Sequence, residues 1–163
     1  MKTSKIRMVQ VTDKKTTLTW VRKFAKEYLG HDEMTYDKEL ISVLLDPKIC
    51  KYLFAFRGQI PLGFVRITSL SELGTSPMSC ISDAFVRKGS RSKGILKMLL
   101  EKCISDFDCG YILLSYDRVI KYQFYYASLG LVHQIKDPYD ASLRYLATQK
   151  FMDVFDSHLP AAA

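Results

Sequence analysis

Residues 79–107 constrain the fold more than any other stretch of the chain. Ser79–Arg87 holds Cys80, Ile81, Ala84, Phe85 and Val86, an apolar run of the kind that forms a buried strand. Residues 88–94 (Lys-Gly-Ser-Arg-Ser-Lys-Gly) make a basic, glycine-containing turn. Leu96, Leu99 or Leu100, Cys103 and Phe107 then fall on one helical stripe. A buried strand that turns straight into an amphipathic helix requires a sheet for the helix to lie on.

The rest of the chain reads as strands and helices that complete such a sheet. Residues 5–12 alternate polar and apolar, which predicts a strand. Residues 15–29 carry Leu18, Val21, Ala25 and Tyr28 at helical steps, with Gly30 as a stop. Thr35 is positioned to cap a second helix, with Leu40, Val43 and Leu44 on its apolar stripe, ending before Pro47. Residues 51–57 and 60–70 flank Gly58-Gln59 and predict a hairpin. Residues 71–78 read as a loop. A short strand follows at 111–116, then a helix at 119–129 closed by Gly130. Two last strands, 131–135 and 142–148, surround a turn at 136–140, and 151–157 is a short helical candidate. The order β-α-α-β-β-β-α-β-α-β-β predicts an α/β (α+β) fold: a mixed sheet with helices on both faces. One domain is expected over residues 1–150, with 151–163 as a short helical or disordered tail.

With 163 residues, 48% of them hydrophobic and 25% charged, the composition is globular and argues against a disordered chain. No apolar run approaches the roughly 18 residues of a membrane span. The first residues lack the apolar core of a secretory signal, so a cytoplasmic location is expected. Cys50, Cys80, Cys103 and Cys109 form no C-x-x-C pair and match no zinc spacing with the histidines, which predicts reduced thiols and no metal. Lys and Arg number 24 against 17 Asp and Glu, a net charge of +7 that favours anionic partners. The cations do not interleave with aromatics in a nucleic-acid reader motif, which argues against nucleic acid.

Much of the positive excess sits in the turn at 88–94. Backbone N–H groups at a helix start lack intrahelical partners, and the helix dipole adds partial positive charge. Small residues let that backbone approach a phosphate, while Arg91, Lys93 and Lys97 add formal charge. The predicted ligand group is a phosphate or pyrophosphate. The spacing is neither the P-loop nor the dinucleotide fingerprint.

Residues 86–100 resemble motif A of the GNAT superfamily, the Gcn5-related N-acyltransferases, which reads roughly V-x-P-x-x-[QR]-x-x-G-x-[GA]. Val86, Arg91 and Gly94 take the valine, Gln/Arg and first glycine positions. Tyr125-Tyr126-Ala127-Ser128-Leu129-Gly130-Leu131 resembles motif B, commonly F-Y-E-K-L-G-F. The element order also matches over nearly the whole chain. Three positions depart from the pattern. Lys88 replaces a proline, Leu96 replaces a small residue, and Val119 stands where many members carry an asparagine.

The resemblance implies a GNAT-like, mostly antiparallel twisted sheet of about seven strands. It implies an acetyl-CoA-dependent N-acetyltransferase that moves an acyl group from the thioester to a primary amine in a ternary complex. The cofactor-binding residues it points to are Phe85, Val86, Arg91, Ser92, Lys93, Gly94, Ile95, Leu96 and Lys97. Strands 81–86 and 111–116 would splay to receive the pantetheine arm. Tyr126, at the motif B tyrosine, would protonate the departing thiolate. Asp83 is the side-chain candidate for base, because burial on an apolar strand would raise its pKa. A water chain is the alternative base.

In this family the region between the first two helices often shapes the acceptor site. Here it holds Asp32, Glu33 and Tyr36 within an acidic segment that would attract a cationic amine. A homodimer is compatible with the resemblance. The departures at Leu96 and Val119 support an alternative, a catalytically degenerate GNAT-like module that binds CoA or a protein partner.

Overall fold

The computed structural model describes residues 5–29, 38–71 and 78–158. Its strands are β1 (Ile6–Val11), β2 (Cys50–Arg57), β3 (Ile60–Ser69), β4 (Ser79–Val86), β5 (Cys109–Ser115), β6 (His133–Lys136) and β7 (Leu143–Ala147). Its helices are α1 (Lys14–Leu29), α2 (Lys38–Leu44), α3 (Ile95–Asp106), α4 (Tyr116–Ser128) and α5 (Gln149–His158). The seven strands make one sheet in the order β1-β2-β3-β4-β5-β7-β6, in which only β4 and β5 run parallel. The expected mixed, mostly antiparallel sheet is therefore present. Gly30, Thr35 and residues 72–77 of the loop expected at 71–78 lie outside the described residues.

Local chemistry sets most boundaries. Asp13 caps α1, its Oδ2 accepting the Thr16 N–H at 2.7 Å. Gly58, at φ +60°, closes the two-residue β2–β3 hairpin. Helix α4 ends in a Schellman motif: Leu131 N–H donates to the Tyr126 carbonyl and Gly130 N–H to the Ala127 carbonyl, with Gly130 at φ +84°. That motif also explains why β6 begins at His133 and not at 131, since the Leu131 N–H is spent on the helix end. Helix α4 begins at Tyr116, ahead of the expected 119. Ser115 is its extended N-cap residue, the Tyr116 N–H donates to the Ser142 carbonyl at 2.8 Å, and Asp117 lies in the first turn.

Helices cover both faces. Ile95, Leu99, Leu100 and Cys103 of α3, with Val119 and Tyr126 of α4 and Leu129 just past its end, pack on Leu53, Val65, Ile67, Ile81, Ile112 and Leu114. Val21 and Phe24 of α1 pack on the other face, against Tyr52, Phe54, Phe64 and Phe85. Helix α5 lies on that second face too, where Phe151 meets the Tyr111 ring edge-on at 5.1 Å. Residue 151, expected to open a tail, is thus part of the core. A Cβ at Gly110 would come within 2.6 Å of the Phe151 ring, so only glycine lets α5 seat this closely.

The β6–β7 turn is organised by one carboxylate. Asp137 is buried and accepts the N–H groups of Tyr139 and Asp140 and the Tyr145 hydroxyl. The Tyr145 bond, first, and the backbone donors hold its pKa below 3.8. A depressed carboxylate contributes stability that is present above the unfolded pKa and is lost as pH falls through the folded one. Asp137→Asn should therefore lower Tm at neutral pH, and the gap to wild type should shrink towards about pH 3. A gap of equal size at both pH values would contradict this account.

Candidate active site

The sheet opens between β4 and β5. The two strands pair at Ser79↔Cys109, Cys80↔Tyr111 and Ile81↔Ile112, and no further. Beyond Ile81, β4 continues beside β3 as far as Val86, while β5 continues beside β7 as far as Ser115. The gap therefore widens towards the C-terminal ends of both strands.

A β-bulge coincides with the point of departure. On β3 the consecutive residues Arg66 and Ile67 face Asp83 and Ile81, so Ser82 is an extra residue in β4. Its hydroxyl hydrogen-bonds Thr68 Oγ1 at 2.8 Å, accepts from Arg66 Nε at 3.0 Å and donates to the Arg66 carbonyl at 3.2 Å. A bulge bends its strand and re-aims side chains. Here it puts Ser82 and Asp83 on the same face, the one carrying Phe64 and Phe85, whereas strict alternation counted from Ile81 would aim Asp83 at the α3 core.

The expectation of a buried Asp83 is corrected by that bulge. The carboxylate is 49% exposed, 4.0 Å from Arg66 Nη1, and its Oδ1 accepts its own strand's Ala84 N–H at 2.9 Å.

At the end of β4 the chain makes one 3₁₀ turn (Lys88–Ser90) and passes through two positive-φ residues, Ser92 at +60° and Gly94 at +75°. Gly94 is the N-cap residue of α3 and supplies no side-chain cap, and the first turn of α3 holds no acid. The first backbone bond into the helix is Met98 N–H to the Gly94 carbonyl at 3.0 Å. The N–H groups of Ile95, Leu96 and Lys97 thus begin the helix with no intrahelical acceptor. Arg91, Ser92, Lys93 and Lys97 are exposed around them. Leu96 turns its side chain onto the core cluster, so the substitution in the motif does not block the backbone.

Arg87 N–H donates to the Leu62 carbonyl on the β3 side. Alternation along an antiparallel edge then directs the backbone groups of Val86 towards the gap. The Val86 carbonyl accepts Arg91 Nε there at 2.9 Å, which ties the turn to the strand. The Phe85 carbonyl sits on the β3 side instead: a Cβ on Gly63 would lie 2.4 Å from it. Of the two strand residues expected at the cofactor, Val86 is the one turned to the gap. Phe85 joins the aromatic cluster, 5.0 Å from the Phe24 ring.

Two partners of this region are invisible in the local sequence. Glu27, near the end of α1, accepts the Lys88 N–H at 3.0 Å and pairs with Arg87 Nε at 3.3 Å, holding the start of the turn. Arg66 comes from β3. A lone arginine in the apolar run 60–70 was as conspicuous as Asp83 and could have been flagged by the same reasoning.

Tyr126 is buried in the core under α4, and its ring meets the Tyr125 ring edge-on at 5.3 Å. Burial pushes its pKa up, while the charge of Arg118 and a hydrogen bond to it act in the opposite direction. Burial pushes the Tyr125 phenol up as well, to about 12. Between Arg118 and Tyr126 the helix kinks at Tyr122, with φ −124° and ψ 17°. Tyr126 and Asp83 lie on opposite faces of the sheet. Val119, where an asparagine was the family's habit, is buried in the same core as Tyr126.

The predicted acceptor residues Asp32, Glu33 and Tyr36 lie outside the described residues. All four cysteines are buried and free of disulfides, and among the described residues no three His, Cys, Asp or Glu side chains come together as metal ligands. No helix among the described residues is long and apolar enough to cross a membrane.

No family model matches the sequence, and no curated protein matches it. Solved structures do resemble the fold. An acetyltransferase from Thermus thermophilus superposes with a TM-score of 0.61 at 17% identity, covering 89% of this chain and 97% of its own. A GNAT-family acetyltransferase from Staphylococcus aureus gives 0.58 at 20% identity, covering 89% and 100%. A PaiA N-acetyltransferase from Thermoplasma acidophilum, in complex with coenzyme A, gives 0.53 at 16% identity, covering 88% and 99%. At such identities the likeness speaks for the backbone, and what it establishes together with the splayed strand pair and the basic helix start is that this chain has the GNAT acetyltransferase fold.

Proposed function

We propose that the protein is an acetyl-CoA-dependent N-acetyltransferase acting on a primary amine. One observation carries this reading: the β4–β5 gap and the uncapped, cation-ringed start of α3 lie at the two ends of a single strand–turn segment. Coenzyme A has a matching layout, an amide-bearing arm joined to a pyrophosphate. The N–H groups of Ile95, Leu96 and Lys97, with Arg91, Lys93 and Lys97, would hold the phosphates, and the gap-facing backbone of Val86 would meet the arm.

Acetyl-CoA supplies an activated acyl thioester. In the transfer, the amine nitrogen bonds the acyl carbon, the carbon–sulfur bond breaks, the amine gives up a proton and the thiolate gains one. Tyr126 is the proton donor in this reading. Its raised pKa keeps the phenol protonated through neutral and mildly alkaline pH, so the proton is available when the thiolate leaves. Asp83 faces the opposite side of the gap, exposed to solvent, and suits reception of the amine's proton directly or through water. Val119, buried and without a polar group, favours the second reading, a binding module with no turnover.

Acetyl-CoA at about 100 times its Kd should stabilise the fold by about 2.7 kcal/mol, a thermal shift of several degrees. Tyr126→Phe should retain that shift and lower kcat by about 100-fold, the low end of acid catalysis. Absence of any shift in a folded sample sinks the proposal. A shift with no amine turnover establishes the binding module instead.

A further inference from the structure

We propose that Arg66 and Asp83 select the acceptor, and that the acceptor is an amine that also carries a carboxylate, as an amino acid does. This rests on the acyl-transfer reading above. Arg66 stands between Tyr52 on β2 and Asp83 on β4, on the face of the sheet opposite Tyr126. Its side chain is only 17% exposed, so a full positive charge is largely withdrawn from water. A charge so placed calls for a counter-charge or a ligand.

Asp83 does not fill that role well. Its Oδ2 is 4.0 Å from Arg66 Nη1, against about 2.7–2.9 Å for a charge-assisted hydrogen bond. Meanwhile the guanidinium is fixed in orientation. Its Nε donates to Ser82 Oγ, and that hydroxyl is itself held by Thr68 and by the Arg66 carbonyl. Among the described residues no closer hydrogen-bond partner meets the Nη groups. An oriented guanidinium whose outer edge has no close hydrogen-bond partner among the described residues matches a carboxylate through two parallel N–H bonds.

Beside that edge, Asp83 offers a half-exposed negative charge at the point where the strands part. The two groups form a dipole: positive on β3, negative on β4 next to the gap. A compound with an ammonium next to a carboxylate lies along it in one direction only, with its nitrogen towards the gap. A diamine places a second cation against Arg66 and is disfavoured. Arg66 is thus a specificity residue, and Ser82 a positioning residue that acts through it.

The test uses matched amines with saturating acetyl-CoA, read as thiol release: alanine with ethylamine, lysine with cadaverine, phenylalanine with phenethylamine. Binding of acetyl-CoA is followed separately by calorimetry. The wild type should prefer the carboxylated member of at least one pair by about 10-fold or more in kcat/KM. Arg66→Gln should raise KM for that amino acid by about 30-fold, with a smaller change in kcat, and should leave acetyl-CoA affinity within about twofold. Arg66→Lys should keep a weakened preference. If Arg66→Gln does not fold, Ser82→Ala serves instead, since it frees the guanidinium without removing its charge. It should raise KM for the carboxylated member alone.

Equal or better turnover of the decarboxylated members overturns the proposal, as does an Arg66→Gln effect that is the same on both members. Tight acetyl-CoA binding with no turnover of any of these amines overturns it too, and leaves the cofactor reading standing. No acetyl-CoA binding by the wild type brings down both.

Discussion

Gly94→Glu should abolish measurable acetyl-CoA binding at micromolar concentrations, a loss of at least about 100-fold or 2.8 kcal/mol. Two effects add. Gly94 sits at φ +75°, where an L residue costs about 1–2 kcal/mol, so the turn would strain or rearrange. The new carboxylate would also stand at the start of α3, where the dipole and three exposed cations otherwise favour an anion. Like charges about 4 Å apart repel by about 4 kcal/mol at an effective dielectric of 20. The fold should survive, because a Cβ at Gly94 meets nothing within 4 Å. Calorimetry on the variant, with circular dichroism as the folding control, decides the matter. Gly94→Ala separates strain from charge: it should lose stability and retain most of the affinity. Binding undiminished in Gly94→Glu would move the phosphate site away from this turn.

Phe54→Ala should cost about 3–5 kcal/mol, among the largest losses a single truncation brings. Phe54 is 0% exposed, and its ring centre lies 5.4 Å from Phe64, 6.2 Å from Phe24 and 6.0 Å from Phe56. Through Phe24 the cluster reaches Phe85, so removing the Phe54 ring loosens α1 over the same strand that borders the gap. Tm should fall by about 6–20 °C for a domain of this size. The loss should also weaken Glu27's hold on the turn, because α1 carries both Phe24 and Glu27. A fall of only a degree or two would mean that the aromatic cluster collapses onto the space without cost.

What the sequence disclosed was local. Gly58, Gly94 and Gly130 announce a hairpin, a helix start and a helix end because each needs a positive φ that other residues resist. The apolar periods of β4 and α3 are one-dimensional patterns, and the basic turn lies wholly between them. What stayed hidden depends on chain segments meeting. Nothing in Ile81-Ser82-Asp83-Ala84 signals an extra residue, since the bulge exists only relative to β3. Counted by strict alternation from Ile81, Asp83 reads as an acid turned to the core; across the bulge it faces Arg66. Glu27 and Lys88 are 61 positions apart, and Arg66 and Asp83 meet across two strands. The start of α4 was hidden for a similar reason, because the Tyr116 N–H finds its acceptor at Ser142.

The bulge at Ser82 has an evolutionary corollary. Ile81 pairs with Ile67 and Asp83 with Arg66, so a strand lacking Ser82 would alternate regularly and still turn Asp83 towards Arg66; what the extra residue adds is the hydroxyl that fixes the guanidinium. Point substitutions can retune the charges at this place. Deleting the one codon for Ser82 would leave both charges on that face and release Arg66 from its tether, so a lineage without that codon would keep the charges and lose their fixed geometry.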